Sequence, residues 1–232
     1  MQPHSPIWQQ FRSPEGGAFA LAVCLLLATS IAAAATVPEI AAKVDQRYNH
    51  LETLQADFTE TYRGVGVSRS ESGVLWLKRP GKMLWDYREP QPKVFVSDGK
   101  WAWFYVPGER QARKAAVKKL DDLRSPLRYL LGKTKLEKEL IGLAMAVEVP
   151  PAAPGDIVLR GVPKGMEDRV SSVLLEVTPG GEIVRMVVNE VDGSSTEYRF
   201  GNQRENQPIA DQRFRFSPPP GVELIETEDL TP

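Results

Sequence analysis

From residue 54 onward the apolar residues recur at every second position, and short polar turns break the runs at nearly regular intervals. Period two is the side-chain repeat of a β-strand, so most of the chain reads as sheet. Candidate strands fall near 54–65, 72–79, 83–88, 93–97, 101–106, 144–149, 156–160, 171–178, 182–191, 195–202 and 213–217. Pro80-Gly81, Asp98-Gly99, Pro179-Gly180-Gly181 and Asp192-Gly193 supply turn chemistry between them. Regular strands with short turns and no alternating helices describe an antiparallel sheet that curls or closes. The predicted fold is therefore mainly β (α+β), an incomplete antiparallel β-barrel or strongly curved sheet with a helical lid.

Two segments break this pattern. In TVPEIAAKVDQRYNHLETL, residues Ile40, Val44, Tyr48, Leu51 and Leu54 are spaced by three or four, with Pro38 at a helix start and Glu39 in the first turn. An amphipathic helix is predicted over about 38–53, with a stripe that must pack on something. Residues 107–140 are charged and then helical: Ser125 caps, Pro126 takes the first helical position, and Leu127, Leu130 and Leu131 make an apolar patch ended by Gly132. Such a helix in a long connection between strands is a candidate cover for the mouth of a sheet. Its basic cluster, Arg110, Arg113, Lys114, Lys118 and Lys119, reads either as solvated loop charge or as a docking surface for an acidic partner.

The stretch GVLWLKRPGKMLWDY, residues 73–87, is apolar on both strand faces. A sheet with one wet face alternates apolar and polar, and this one does not. Leu75 and Leu77 oppose Val74 and Trp76; Met83, Trp85 and Tyr87 share one face of the next strand; Trp101, Trp103 and Tyr105 oppose Ala102, Phe104 and Val106. Either both faces are packed, one on a second sheet and one on helices, or one face lines an apolar cavity under the two helices. Pro80-Gly81 suits a type II turn, which matches hairpin twist poorly, so some bulging is expected there. Arg79 precedes that turn among apolar neighbours. Its five donors need acceptors, and the exposed carbonyls at a helix C-terminus are natural ones, although a guanidinium at a strand end can also snorkel to water.

Before the first predicted helix, residues 1–35 read as a cleaved secretory signal peptide. Arg12 leads an apolar run from Ala18 to Ala35, with a small-residue exit at Ala33-Ala34-Ala35. A membrane anchor is the other reading of that run, but the core is short and no basic flank follows. Cleavage removes Cys24 and His4, leaving about 197 residues, 36–232, expected to form one domain with a sizeable core and no disulfide. A cysteine nucleophile, a cysteine zinc site and a histidine cluster are excluded; no catalytic constellation or cofactor fingerprint appears either, and no metal, cofactor or catalytic residue is expected. His50 lies in the predicted helix, and no G-x-S-x-G elbow accompanies it. The remaining 28 basic and 29 acidic side chains nearly balance, which argues against nucleic acid as a partner.

Four segments together resemble the LolA family of periplasmic outer-membrane lipoprotein carriers. They are Leu54-Gln55-Ala56-Asp57-Phe58-Thr59-Glu60, Gly73 through Trp85 with its Leu-Trp-Leu-Lys-Arg-Pro core, Val96 to Lys100 followed by Trp103-Phe104-Tyr105, and Phe214 through Val222. The resemblance implies a monomeric periplasmic chaperone that holds the acyl chains of lipoproteins in a hydrophobic cavity. It implies carriage from an inner-membrane ABC exporter of the LolCDE type to an outer-membrane acceptor, of the LolB type or another. Arg79 matches the family arginine taken to latch the lid in the empty form. The cavity lining expected here is Trp76, Met83, Trp85, Tyr87, Trp101, Trp103, Phe104, Leu127, Leu130 and Leu131. Met83 stands where the family often has an aromatic, the 107–140 connection differs in charge and length, and the tail after Val222 is acidic. A lipid- or peptide-sensing regulatory module on the same sheet is the alternative from another class. A hydrolase with paired carboxylates is a further class, for which no constellation is visible.

Overall fold

A computed structural model of the chain describes residues 35–117, 130, 135–227 and 230. Residues 1–34 of the predicted signal peptide lie outside these residues. The first described element is helix α1, Val37–His50. Thr36 is extended; its carbonyl accepts the Ile40 amide at 3.0 Å, and its own amide donates to the Glu39 carboxylate at 2.8 Å. That bond holds the Glu39 carboxyl below its usual range. Pro38 sits in the first turn, where amides have no helical acceptor to lose. The helix ends before the predicted 53 because the chain is drawn into the sheet: the Glu52 amide donates to Asn206 Oδ1 at 2.9 Å, and Thr53 Oγ1 to the Gln207 carbonyl at 2.6 Å.

The strands are β1 (Thr53–Gly64), β2 (Val67–Lys78), β3 (Lys82–Glu89), β4 (Lys93–Asp98), β5 (Trp101–Tyr105), β6 (Gln111–Ala116), β7 (Leu140–Met145), β8 (Ile157–Pro163), β9 (Val170–Val177), β10 (Ile183–Glu190), β11 (Ser195–Glu205) and β12 (Glu223–Glu226). They form one sheet in the order β12-β6-β5-β4-β3-β2-β1-β11-β10-β9-β8-β7. Two meanders meet where β1 pairs with β11, and neither rim strand closes onto the other. This is the open, curved sheet expected; a sheet of so many strands curls through its own twist. Every pair is antiparallel except β12 on β6. A four-residue helix, α2 (Leu136–Glu139), precedes β7.

The two faces of the sheet have different covers. On one, α1 lays down Ile40, Ala41, Val44 and Tyr48, all buried, against Leu54, Ala56 and Phe58 of β1, Leu75 and Leu77 of β2, and residues of β8 to β11. The Tyr48 hydroxyl accepts the Ile183 amide at 2.9 Å, and burial pushes its pKa up. On the back face Val74, Trp76 and Leu84 pack under Ile209 and Phe214, so the C-terminal segment crosses behind β2 and β3. Among the described residues no second sheet is involved: the double apolarity of residues 73–87 comes from one helix in front and one irregular segment behind.

Several predicted elements change, and β2 begins at Val67 rather than 72. Residues 213–217 are not a strand; a 3₁₀ turn, Asp211–Phe214, leads into the covering segment. β7 begins at Leu140 rather than 144, next to a bulge at Gly142, whose φ is +67°. β6 and β12 were not expected, because their charged residues hide the alternation.

Candidate functional site

Arg79 sits half-buried at the end of β2, and its guanidinium reaches the last turn of α1. Nη1 donates to the Asn49 carbonyl at 2.7 Å and Nη2 to the Tyr48 carbonyl. The Arg79 amide donates to Glu52 O at 3.0 Å. These are carbonyls at a helix end with no helical partner of their own, and a guanidinium matches two of them at once. The loop that aims the arginine is three residues long, between the paired Lys78 and Lys82; the expected type II turn is replaced by a cis Arg79–Pro80 peptide with Gly81 at φ +67°. The positive φ favours glycine there, and a Cβ would also press on Gly99 Cα at 3.3 Å. Ser97 Oγ donates to the Gly81 carbonyl at 3.1 Å, joining this loop to the β4–β5 turn.

The same hairpin is anchored behind. Lys78 and Lys82 each lie 2.7 Å from an Asp211 oxygen, and together they hold that carboxyl down at about 2. The back cover therefore steadies the strand end that presents Arg79.

Pairing register decides which predicted lining residues lie together. The row Leu75–Trp85–Phe95–Phe104 is on the helix-covered face, and the row Trp76–Leu84–Val96–Trp103 is on the other. Met83, Trp85, Tyr87, Phe104 and Leu130 are thus on the helix-covered face. Trp76, Trp101 and Trp103 are corrected to the back face. Arg213 lies over the Trp76 ring at 4.4 Å, Lys114 over Trp101 at 3.9 Å, and Phe216 against Trp103 at 6.2 Å. Leu127 and Leu131 lie outside the described residues, as do Lys118 and Lys119 of the basic cluster. Arg113, of that cluster, stacks over Phe104 at 4.6 Å.

Phe58 is the centre of the aromatic floor, a residue not anticipated as lining. It meets Trp85 edge-on at 4.7 Å and Tyr87 at 4.9 Å, with Tyr198 and Phe200 stacked beyond at 6.4 Å. Beyond Phe58 the face turns polar. The Tyr87 hydroxyl donates to Glu60 at 2.7 Å, and Lys93 is 2.9 Å from the buried Glu71. Period two carried on from Leu54, Ala56 and Phe58 places Glu60 on this face, so the signal was present. Burial raises the Glu60 carboxyl, against the opposing pull of Tyr87 and Lys93.

Among the described residues, the side chains over this floor are packed together in this conformation. Tyr48, Leu54, Leu75, Leu159, Leu175, Ile183 and Met186 are all fully buried, and a crevice of about 20 Å³ lies between Leu51, Leu77, Arg79 and Leu130. The site is an apolar sheet face closed by a helix, with an arginine across the seam. Among the described residues no helix is long and apolar enough to cross a membrane.

A single open sheet whose apolar face lies under a helix, tied at its seam by Arg79, defines a class of β-scaffold. Residues 49–217 match the family model described as outer membrane lipoprotein carrier protein LolA, and the chain belongs to that family. An outer-membrane lipoprotein carrier protein of Chromobacterium violaceum is 30% identical over 205 residues, covering 87% of this chain and 96% of that one. Its counterpart in Methylococcus capsulatus is 32% identical, covering 75% and 81%. Among solved structures, a LolA superfamily protein from Nitrosomonas europaea aligns with a TM-score of 0.41 at 11% identity, covering 79% of this chain and 99% of that one.

Proposed function

We propose that this chain is a periplasmic carrier that takes the acyl chains of lipoproteins against the helix-covered face and moves them from an inner-membrane LolCDE-type exporter to the outer membrane. It does so as a monomer after removal of residues 1–35. The observation that carries the reading is the Arg79 guanidinium bonded to the Tyr48 and Asn49 carbonyls. It is a small, directional contact holding a large apolar seam shut.

Energetics explains why such a contact suits carriage. Each buried methylene contributes about 0.8 kcal/mol, so several fully buried acyl chains would exceed the roughly 20 kcal/mol at which non-covalent affinity saturates. A carrier bound that tightly would never let go. Cargo must instead displace the stripe of α1, whose Ile40 and Val44 stand to lose up to about 1.5–3 kcal/mol each, with Tyr48 beside them. Breaking the arginine contacts adds a few kcal/mol more. The closed form thus opposes loading and favours release. Loading then needs work from the exporter.

Native mass spectrometry of protein taken from the periplasm tests this. A co-purified triacylated protein is the expected result. An empty chain, in cells whose lipoproteins still reach the outer membrane after it is depleted, would overturn the reading.

A further inference from the structure

The β4–β6 flank of the helix-covered face holds a small apolar cluster apart from the main core. Its floor is two alanines paired across the ladder, Ala102 of β5 and Ala115 of β6, and its wall is Phe104. Alanine at both floor positions leaves depth that larger side chains would fill. Leu230 fills it: it is only 1% exposed and packs in this cluster from beyond the last strand. Phe95 packs against both this cluster and the main core, so the recess is continuous with the floor around Trp85.

The strand that leads to Leu230 is lightly held. β12 pairs in parallel with β6, and Glu223 N to Arg110 O and Thr227 N to Lys114 O, both 2.9 Å, frame the ladder. Its side chains bury little: Leu224 is 41% exposed, and the Glu226–Lys114 contact of 3.4 Å is open to water on the glutamate side. Parallel pairing is slightly weaker per residue, and exposed ion pairs are screened. A short rim strand of this kind opens more readily than the central ones.

We infer that the recess of Ala102, Ala115 and Phe104 is a subsite for an aliphatic chain, and that Leu230 occupies it as an internal stand-in until such a chain displaces it. The seated leucine shows what the recess accepts: an aliphatic group with no polar partner. On loading, β12 peels from β6. The inference rests on the carriage reading for the source of the chain, a lipoprotein acyl group.

The test uses the purified protein and cis-parinaric acid, a fatty acid that fluoresces in apolar surroundings. Leu230→Ser should bind it several-fold more tightly than the unaltered protein, and adding Ala115→Leu should cancel the gain. Hydrogen exchange on the unaltered protein gives an answer that depends on no variant. Saturating probe should speed exchange at the Glu223 and Thr227 amides while β9 and β10 hold. Equal affinity of Leu230→Ser and wild type, or undiminished protection at Glu223 and Thr227, overturns the subsite and leaves carriage standing. If neither wild type nor Arg79→Leu takes the probe at all, carriage fails and the subsite with it.

Discussion

Arg79 does with one side chain what a helix cap does with several, because its two terminal nitrogens satisfy two neighbouring carbonyls of α1. A lysine has one compact charge and cannot reproduce the fork. Arg79→Leu leaves those carbonyls without the guanidinium and should lower stability by about 1–3 kcal/mol, read as a fall in urea midpoint. In a handover assay between liposomes the variant should still take up lipoprotein but pass it on poorly. Wild-type transfer would remove the latch from the account. That the arginine's acceptors would be helix-end carbonyls was legible, since few other groups offer unused acceptors beside an apolar face. The cis Arg79–Pro80 bond was not legible, because one sequence does not reveal the isomer. The placing of Trp76, Trp101 and Trp103 failed for another reason. Period two shows that neighbours face opposite ways, but with apolar residues on both sides it cannot say which side the helix takes.

At the scale of elements, α1 is seated by specific contacts as well as by grease. Arg47 pairs with Glu205 at 2.6 Å and Glu182 at 3.2 Å, and Lys43 donates to Pro179 O at 3.3 Å. The β9–β10 turn comes so close that a Cβ on Gly181, at φ +83°, would stand 2.9 Å from the Lys43 backbone. Gly181→Val is therefore strained and clashes at once, and should cost about 2 kcal/mol or more. Faster hydrogen exchange across α1, with β1 and β2 unchanged, is the expected signature; intact protection in α1 would show that its seat lies elsewhere. Most strands were legible because turn residues bounded them. β6 and β12 were not: Arg113 and Lys114 read as loop charge, yet one stacks on Phe104 and the other on Trp101. The stems of long basic side chains can cover apolar surface, which removes the alternation that marks a strand.

For the molecule as a whole, the buried polar patch beyond Phe58 makes stability depend on pH. Tyr87, Lys93, Glu71, Arg69 and Tyr198 surround Glu60, and burial leads the causes that lift its carboxyl above the ordinary 4.5. The folded chain therefore holds this proton more tightly than the unfolded one. Glu60 contributes most below about pH 4.5 and its contribution falls as pH rises through the folded value. Glu60→Gln keeps a partner for Tyr87 and abolishes the titration. Its stability relative to wild type should be more favourable at pH 7 than at pH 5 in urea titrations; the same difference at both values would show that Glu60 does not titrate abnormally.

The strand order also has a mechanical meaning. Because β7 and β12 end the sheet without meeting, no ring of hydrogen bonds sets the molecule's girth. Small changes of twist, shared among many ladders, can widen or narrow the trough while every interior bond survives. A tube would have to tear to do the same, so one such trough can fit passengers of unequal bulk.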